Sequence, residues 1–99
     1  MIKTDKQGNL FTIYGNSAVI TLKELPDKKG KLVCCFNGDS EVRKELPFNG
    51  QTEAIIKLTK KDIEDIGAGV HPYYIDIVYN DDNDVDTLIY QTITVYEKD

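Results

Sequence analysis

The fold is decided by the stretch Glu53-Ala-Ile-Ile-Lys-Leu-Thr59, which continues as Lys60-Lys-Asp-Ile-Glu-Asp-Ile-Gly-Ala-Gly69 and Val70-His-Pro-Tyr-Tyr-Ile-Asp-Ile-Val-Tyr79. An acidic loop then leads to Thr87-Leu-Ile-Tyr-Gln-Thr-Ile-Thr-Val95. The first, third and last of these segments have the apolar pattern of strands, and the second predicts a single helical turn with a glycine exit. This order is typical of the closing half of a β-sandwich. None of its steps brings catalytic groups together.

The segment after Thr59 is the helical candidate of this chain. The Thr59 hydroxyl can cap the helix, and Asp62 stands three residues later, as in a capping box. Ile63 and Ile66 share one face of the turn, and Gly67 or Gly69 can end it. One or two turns of helix predict a connector between two sheets.

Apolar alternation predicts strands in the first half as well. Leu10–Tyr14 alternates apolar and polar residues, and Ser17–Glu24 does so with Ala18 at the start of its apolar face. Lys31–Phe36 is a nearly continuous apolar run, which is expected of a central strand covered on both faces.

Two features mark the next strand as the edge of a sheet. The Asn37-Gly38 pair predicts a type I′ hairpin, which needs positive φ at both residues. The Glu41–Leu46 segment that follows is mostly charged, and Pro47 lacks the N–H that a ladder requires. We therefore expect an edge strand guarded by charge and proline.

Together these segments predict the fold class. About seven short strands, with turn signals roughly every 8–12 residues, favour an all-β antiparallel sandwich over a parallel α/β sheet, which would need a helix between its strands. Residues 10–99 are predicted to form this one domain, and the polar residues 1–9 a flexible N-terminus. Alternation places eight residues between the sheets: Ile20, Leu22, Ile56, Leu58, Ile75, Ile77, Ile93 and Val95.

Composition argues against two classes of partner. The chain has 12 basic and 17 acidic residues and a net charge of −5, and the basic residues are scattered. A nucleic acid binder needs clustered Lys and Arg to displace phosphate counterions, so we expect no nucleic acid partner. No apolar run approaches the roughly 20 residues that cross a bilayer, and the N-terminus lacks the apolar core of a secretion signal. We expect no membrane association.

Residues that could support catalysis or metal binding do not form a set. The single histidine, His71, and the cysteine pair Cys34-Cys35 are too few and too distant for a zinc site or a nucleophile with its base. The loop Asp81-Asp-Asn-Asp-Val-Asp86 fails as an EF-hand, because Val85 occupies a ligand position and Asp86 the glycine position. A looser calcium site from Asp81, Asp84 and Asp86 is the alternative to a solvated hairpin tip. We predict no cofactor and no enzyme activity.

The helical turn and the strand after it carry a resemblance to a known fold family. Asp65-Ile-Gly-Ala-Gly-Val-His-Pro-Tyr-Tyr74 resembles the approach to strand F of immunoglobulin-like domains, where a tyrosine hydroxyl bonds back to upstream backbone. The resemblance implies an immunoglobulin-like sandwich with Tyr73 or Tyr74 as this tyrosine corner. The inserted His71-Pro72 leaves both tyrosines as alternatives.

From about Leu10 to Tyr96 the chain also resembles a family of small immunoglobulin-type domains in tailed phages and prophages of Gram-positive hosts. The matching residues follow the family's order: Phe11, Gly15, Leu58-Thr59, Asp62, Gly69, Tyr73-Tyr74-Ile75-Asp76-Ile77, Thr87-Leu88 and Thr92-Ile93-Thr94-Val95. Gln91 departs from the pattern, which has glycine there.

This second resemblance implies a function. The family's members are baseplate, tail-fibre and related virion proteins, so the chain is expected to be a non-catalytic structural or interaction module of a virion. It would be assembled in the cytoplasm of the bacterial host and would contact other virion or tail proteins. The alternative is a carbohydrate-binding sandwich that uses exposed aromatic residues and calcium at the acidic loop.

The six tyrosines indicate where contacts would form, because exposed tyrosine favours interfaces. Besides the guarded edge, Leu10–Tyr14 and the end of Thr87–Tyr96 are predicted edges that carry tyrosine and few charges. We predict that self-association into a homo-oligomer, or docking of a partner, uses Tyr14 and Tyr96.

The two cysteines give the first test. Cys34 and Cys35 are adjacent in a predicted strand, so their side chains point to opposite faces, and a disulfide between them has poor geometry. We expect reduced thiols and a melting temperature that does not change when reductant is added. A stability loss of about 2–5 kcal/mol on reduction, measured by urea unfolding, would contradict this.

Overall fold

The computed structural model describes residues 2–81 and 84–97. Within these ranges the chain forms eight strands and one helix. Their bounds are β1 Lys3–Thr4, β2 Leu10–Ile13, β3 Ala18–Leu22, β4 Lys29–Asn37, β5 Glu41–Asn49, β6 Ala54–Leu58, α1 Lys60–Ile66, β7 Gly69–Tyr79 and β8 Val85–Tyr96.

The strands form two sheets that pack face to face. A six-stranded sheet has the order β1-β2-β8-β7-β4-β5, and a two-stranded sheet pairs β3 with β6. The pairing of β5, β4, β7 and β8 matches strands C′, C, F and G of a variable-type immunoglobulin sheet, and β3 with β6 matches strands B and E of the opposite sheet. The predicted all-β, immunoglobulin-like sandwich with one short helical turn is confirmed.

One strand pair departs from the antiparallel prediction. β2 runs parallel to β8, with Leu10 opposite Ile93 and Ile13 opposite Tyr96. Strands joined by a hairpin must be antiparallel, but β2 and β8 lie at opposite ends of the chain and no turn constrains their direction. This pairing also makes the end of β8 an interior strand, so the prediction that this end is an edge is wrong. β5 is an edge strand, as predicted.

The core lies between the two sheets and follows the predicted alternation. All eight residues expected between the sheets are buried, the most exposed being Leu22 at 7%. β4 is the central strand of the prediction, because every residue from Leu32 to Phe36 is buried. The burial of these side chains from water provides most of the driving force for folding.

The helix α1 has the predicted capping box. The Asp62 backbone N–H donates to the Thr59 hydroxyl, and the Thr59 N–H donates to the Asp62 carboxylate at 2.8 Å. Ile63 and Ile66 are fully buried, and Gly67 follows with a φ of 84°. Two orphan donors are thus satisfied at the start of the helix, and its apolar face closes one end of the core.

The turn between β4 and β5 caps the other end of α1. The Asp39 N–H donates to the Ile66 carbonyl at 2.9 Å, and the Ser40 N–H donates to the Asp65 carbonyl at 2.8 Å. A Cβ on Gly38 would overlap the Ile66 carbonyl oxygen. The backbone of the β4–β5 turn is therefore in direct contact with the backbone at the end of α1.

This contact explains why the prediction of a type I′ turn at Asn37-Gly38 is wrong. Neither residue has positive φ, and three residues, not two, separate β4 from β5. Glycine at position 38 serves the close approach to α1, which a local turn rule does not include.

Residues 2–9, which belong to the segment predicted as a flexible N-terminus, make hydrogen bonds to the domain. β1 pairs with β2, placing Lys3 opposite Phe11, and Asp5 accepts bonds from the Gln7 and Asn9 backbone N–H groups at 2.9 Å each. The Asn9 side chain accepts from the Thr92 N–H of β8 at 3.2 Å. These polar residues carry no apolar signal, and they join the domain through hydrogen bonds.

The approach of the β4–β5 turn to α1 generates a prediction. Gly38→Ala should lower the free energy of unfolding by about 1–3 kcal/mol, because the added methyl group must displace the Ile66 backbone. Urea unfolding would measure the loss. The control, Ser40→Ala, changes an exposed side chain of the same turn and should stay within about 0.5 kcal/mol of the parent protein. Equal effects of the two variants would contradict the close approach.

Candidate interaction surface

The end of β2 and β8 exposes a group of apolar and aromatic side chains. Leu10 and Thr12 are buried, so Phe11 and Ile13 face outward, and Ile13 is 40% exposed. Its neighbour in the register is Tyr96, which is 54% exposed. We name Phe11, Ile13, Tyr14 and Tyr96 the β2 surface.

A shallow groove lies within this surface. Its volume is about 200 Å³, and its lining residues are Lys3, Phe11, Thr12, Ile13, Asn16 and Tyr96. On its outer side, within the described residues, β2 pairs with the two-residue strand β1 through Leu10 and Phe11. Because β1 is short, β2 lies close to one edge of the six-stranded sheet.

The structure brings Tyr14 and Tyr96 together at the backbone but separates their side chains. The Tyr14 N–H donates to the Tyr96 carbonyl at 2.8 Å. The Tyr96 ring lines the apolar groove, whereas the 40%-exposed Tyr14 ring lines a second hollow of about 480 Å³ with Asp39, Glu64 and Glu97. Tyr14 thus joins an apolar face to an acidic one.

The two tyrosines proposed for a tyrosine corner have other roles. Tyr73 is buried, stacks on Phe36 with ring centroids 5.4 Å apart, and donates its hydroxyl hydrogen to the Gly8 carbonyl. A tyrosine corner bonds instead to backbone a few residues upstream. Burial raises the pKa of Tyr73 to about 12. Its hydroxyl ties the N-terminal segment to the core.

The partly buried Tyr74 forms an aromatic pair with an exposed tyrosine, and no local sequence pattern predicts this pair. Its ring stacks on the ring of Tyr90, with centroids 6.4 Å apart and an interplanar angle of 14°. Tyr90 is 71% exposed, the highest value among the large apolar side chains of the described residues. Alternation along β7 and β8 places both on the outward face, but only the β7–β8 register puts Tyr74 directly opposite Tyr90.

One buried carboxylate oxygen lies on the same outward face. Asp76 alternates outward with Tyr74, and in the described part of the chain its Oδ1 is the buried side-chain oxygen or nitrogen that lacks a hydrogen-bond partner. A buried acceptor without a donor costs free energy.

The candidates for nucleophilic chemistry have structural surroundings. Cys34 and Cys35 are free and buried. Burial, with smaller contributions from Asp76 and Cys35, raises the pKa of Cys34 to about 12, and burial also raises the pKa of Cys35. The His71 Nε2 lies 3.1 Å from the Gly67 carbonyl and 3.2 Å from that of Ala68. Protonated thiols are poor nucleophiles, and the histidine holds a turn.

The acidic loop is only partly described, since its residues Asp82 and Asn83 lie outside the described residues, whereas Asp81, Asp84 and Asp86 of the calcium hypothesis lie within them. The Asp86 carboxylate accepts a hydrogen bond from the Tyr79 hydroxyl at 2.8 Å. Among the residues with described positions, no three His, Cys, Asp or Glu side chains are grouped as metal ligands. The same described ranges contain no helix with the length and apolarity to span a membrane.

Comparison with known proteins adds no family to these observations. The chain matches no protein-family model and no curated protein sequence. The fold and the surfaces described above therefore carry the functional argument.

The Tyr73 hydroxyl gives a testable prediction. Tyr73→Phe should lower the free energy of unfolding by about 0.5–1.5 kcal/mol, because it removes the bond to the Gly8 carbonyl. The control, Tyr90→Phe, alters an exposed ring and should change stability by less than about 0.5 kcal/mol. If Tyr90→Phe lost more stability than Tyr73→Phe, the stabilising role of the hydrogen bond from Tyr73 to Gly8 would be contradicted.

The raised pKa of Tyr73 adds a pH dependence to this comparison. The phenol has an ordinary pKa of 10.0 and a pKa of about 12 in the folded protein, so it stabilises the fold below pH 10, and this contribution is lost as pH rises through about 12. Tyr73→Phe should therefore lose less stability between pH 9 and pH 12 than the parent protein. Urea unfolding at several pH values would measure the difference, and parallel pH curves would contradict it.

Proposed function

We propose that this protein is a non-catalytic structural module of a phage or prophage virion, of the tail or baseplate, and acts through protein–protein contacts at the β2 surface. The observation that supports this best is the exposure of Ile13 and Tyr96, which are paired in the register beside the apolar groove, with the exposed Tyr14 next in the chain to Ile13. The resemblance to small virion domains supplies the biological setting.

The chemistry of the β2 surface suits an interface. Tyrosine contributes a large contact area with a polar hydroxyl and is enriched among the residues that dominate binding energy. The apolar groove beside Tyr96 can receive a side chain of a partner, and the exposed Ile13 next to it extends the contact area.

The opposite edge is protected against the same use. On β5, Glu45 pairs with Lys31 at 2.8 Å and with Arg43 at 2.9 Å, and both cations lower the pKa of Glu45 to about 2. Together with Pro47, these charges discourage pairing at β5. Contacts are therefore directed to the β2 side of the six-stranded sheet.

A second candidate function, carbohydrate binding, is favoured by the Tyr74–Tyr90 pair. The exposed Tyr90 ring lies nearly parallel to the partly buried Tyr74 ring, and the C–H face of a pyranose could stack on this aromatic surface. The Arg43 side chain, which is placed close enough to Tyr74 to influence its pKa, could donate hydrogen bonds to sugar hydroxyls. Such a ligand would use the outward face of β7 and β8, and not the β2 surface.

The β2 surface is tested by adding charge. Tyr14→Lys and Tyr96→Lys should each weaken self-association, or binding to proteins encoded beside this gene, by at least tenfold in Kd, which is about 1.4 kcal/mol. At position 96, a lysine ammonium beside the apolar groove must lose its hydration when a partner covers it. At position 14, the substitution removes an exposed aromatic ring from the contact. Light scattering and titration calorimetry with purified neighbouring proteins would measure both effects.

Matched controls separate a lost contact from a lost fold. Val85→Lys places the same charge at a residue that is 54% exposed but outside the β2 surface, and it should leave association unchanged. Circular dichroism should show that every variant is folded. An association that resists both tyrosine changes but is broken by Arg43→Glu on β5 would contradict the proposed edge.

The carbohydrate alternative has its own readout. If it is correct, glycan-array binding should appear in the parent protein and be lost in Tyr90→Ala, whereas Tyr96→Lys should retain it. Calcium-dependent binding would favour the loop site of Asp81, Asp84 and Asp86. If no glycan on a broad array binds, and protein association depends on Tyr14 and Tyr96, the carbohydrate alternative is rejected and the structural module is supported.

A further inference from the structure

The two sheets of the sandwich differ in width, and the narrower one has free edges. Within the described residues it consists of β3 and β6, so each of these strands has a hydrogen-bonded neighbour on one side, and the edge of β6 is the one that borders a groove. In an antiparallel ladder alternate residues direct their N–H and C=O groups to opposite sides, so part of the β6 backbone has no strand to bind. In constant-type immunoglobulin sandwiches a further strand, D, pairs at this position.

A groove runs along the free edge of β6. Its volume is about 420 Å³, and it is bordered by β6 and Thr21 of β3 on one side and by β4 and β5 on the other. Most of its lining is apolar, and Leu46 in this lining is only partly buried. The apolar lining residues are Leu32, Leu46, Pro47, Ala54 and Ile55.

The backbone and the lining together define the shape of an occupant. A free strand edge pairs with an extended chain, and Ala54–Leu58 offers five residues, or about 17 Å, for pairing. An added strand alternates its side chains, so every second residue would enter the groove above Leu46 and the others would face solvent. The occupant is therefore an extended segment with apolar residues at its inward positions.

The solvent-facing side chains along β6, and Glu53 just before it, include charges that favour particular residues in a partner strand. Glu53 lines the groove at the start of β6, Ile55 is 55% exposed, and Lys57 follows on the same face. Opposite charges in directly facing positions stabilise an antiparallel pair, and like charges destabilise it. The favoured segment has a basic residue opposite Glu53, an apolar residue opposite Ile55 and an acidic residue opposite Lys57.

The same geometry selects a peptide segment over a second complete sandwich. β5 forms the far wall of the groove, so a rigid domain that approached β6 edge to edge would meet β5 and its charged rim. A single strand, at the roughly 4.7–4.9 Å spacing of a sheet, needs only the space next to β6.

We propose that the free edge of β6 binds an extended segment of a partner protein as an added antiparallel strand, with apolar residues entering the groove beside Leu46 and a basic residue opposite Glu53. This site is separate from the β2 surface. It does not depend on the proposed virion function, because β6 lies in the other sheet.

A designed peptide tests the edge directly. The probe is acetyl-Thr-Glu-Val-Val-Leu-Lys-Thr-amide, which places lysine opposite Glu53 and glutamate opposite Lys57. In ¹H–¹⁵N correlation spectra of the full chain, its addition should shift the amide signals of Ala54–Leu58 and of Leu46. Shifts confined to β2 or β5, or none at millimolar peptide, would overturn the proposal.

A charge exchange tests the orientation and separates binding from loss of fold. Replacing the peptide lysine with glutamate should weaken binding at least fivefold, and Glu53→Lys should reverse that preference. Glu41→Lys, an equal charge change at an exposed β5 residue outside the groove, should leave the preference unchanged. Failure of the reversal in a folded Glu53→Lys protein would overturn the proposal. So would a dimer of the chain alone that Glu53→Lys disrupts, since the occupant would then be a second copy.

Discussion

A two-stranded sheet is too narrow to cover the whole inner face of a six-stranded sheet, so other parts of the structure must shield the rest of that face from water. The capping box starts α1 at the end of β6, and Ile63 and Ile66 then cover what β3 and β6 do not reach. The β4–β5 turn closes the other end of the helix through backbone hydrogen bonds to Asp65 and Ile66. Because the helix is short, its stability depends on these caps and on the burial of its isoleucines. Neither the second sheet nor α1 fully covers the inner face near Leu46, and a groove remains there.

The N-terminal segment solves the equivalent problem at the other end of the sheet. β2 pairs with β8, and the loop before it is held by a small network in which Asp5 orders the backbone and Asn9 receives the Thr92 N–H. The Tyr73 hydroxyl reaches the Gly8 carbonyl from within the core. The bond satisfies a polar group that burial would otherwise leave without a partner, and it fixes the start of the chain where β2 must begin.

The surfaces that remain open follow from the same architecture. A closed barrel has no edges, whereas this sandwich has several, and their chemistry differs. β5 carries the Lys31–Glu45–Arg43 ion pairs, β2 carries the exposed Ile13 beside Tyr96, and β6 has a free edge that borders a groove.

The sequence by itself determined the elements whose signals are local. Alternation identified the buried residues of both sheets, the spacing from Thr59 to Asp62 identified the capped helix, and the charges around Pro47 identified an edge, because each signal arises within a few residues. Only the tertiary structure decided four further features. These are the parallel β2–β8 pair, the hydrogen bonds of the N-terminal segment, the close approach of Gly38 to α1 and the stacking of Tyr74 on Tyr90. Each of these joins segments far apart in the chain, and a contact of that kind depends on where the whole sheet places its members, which no local pattern encodes.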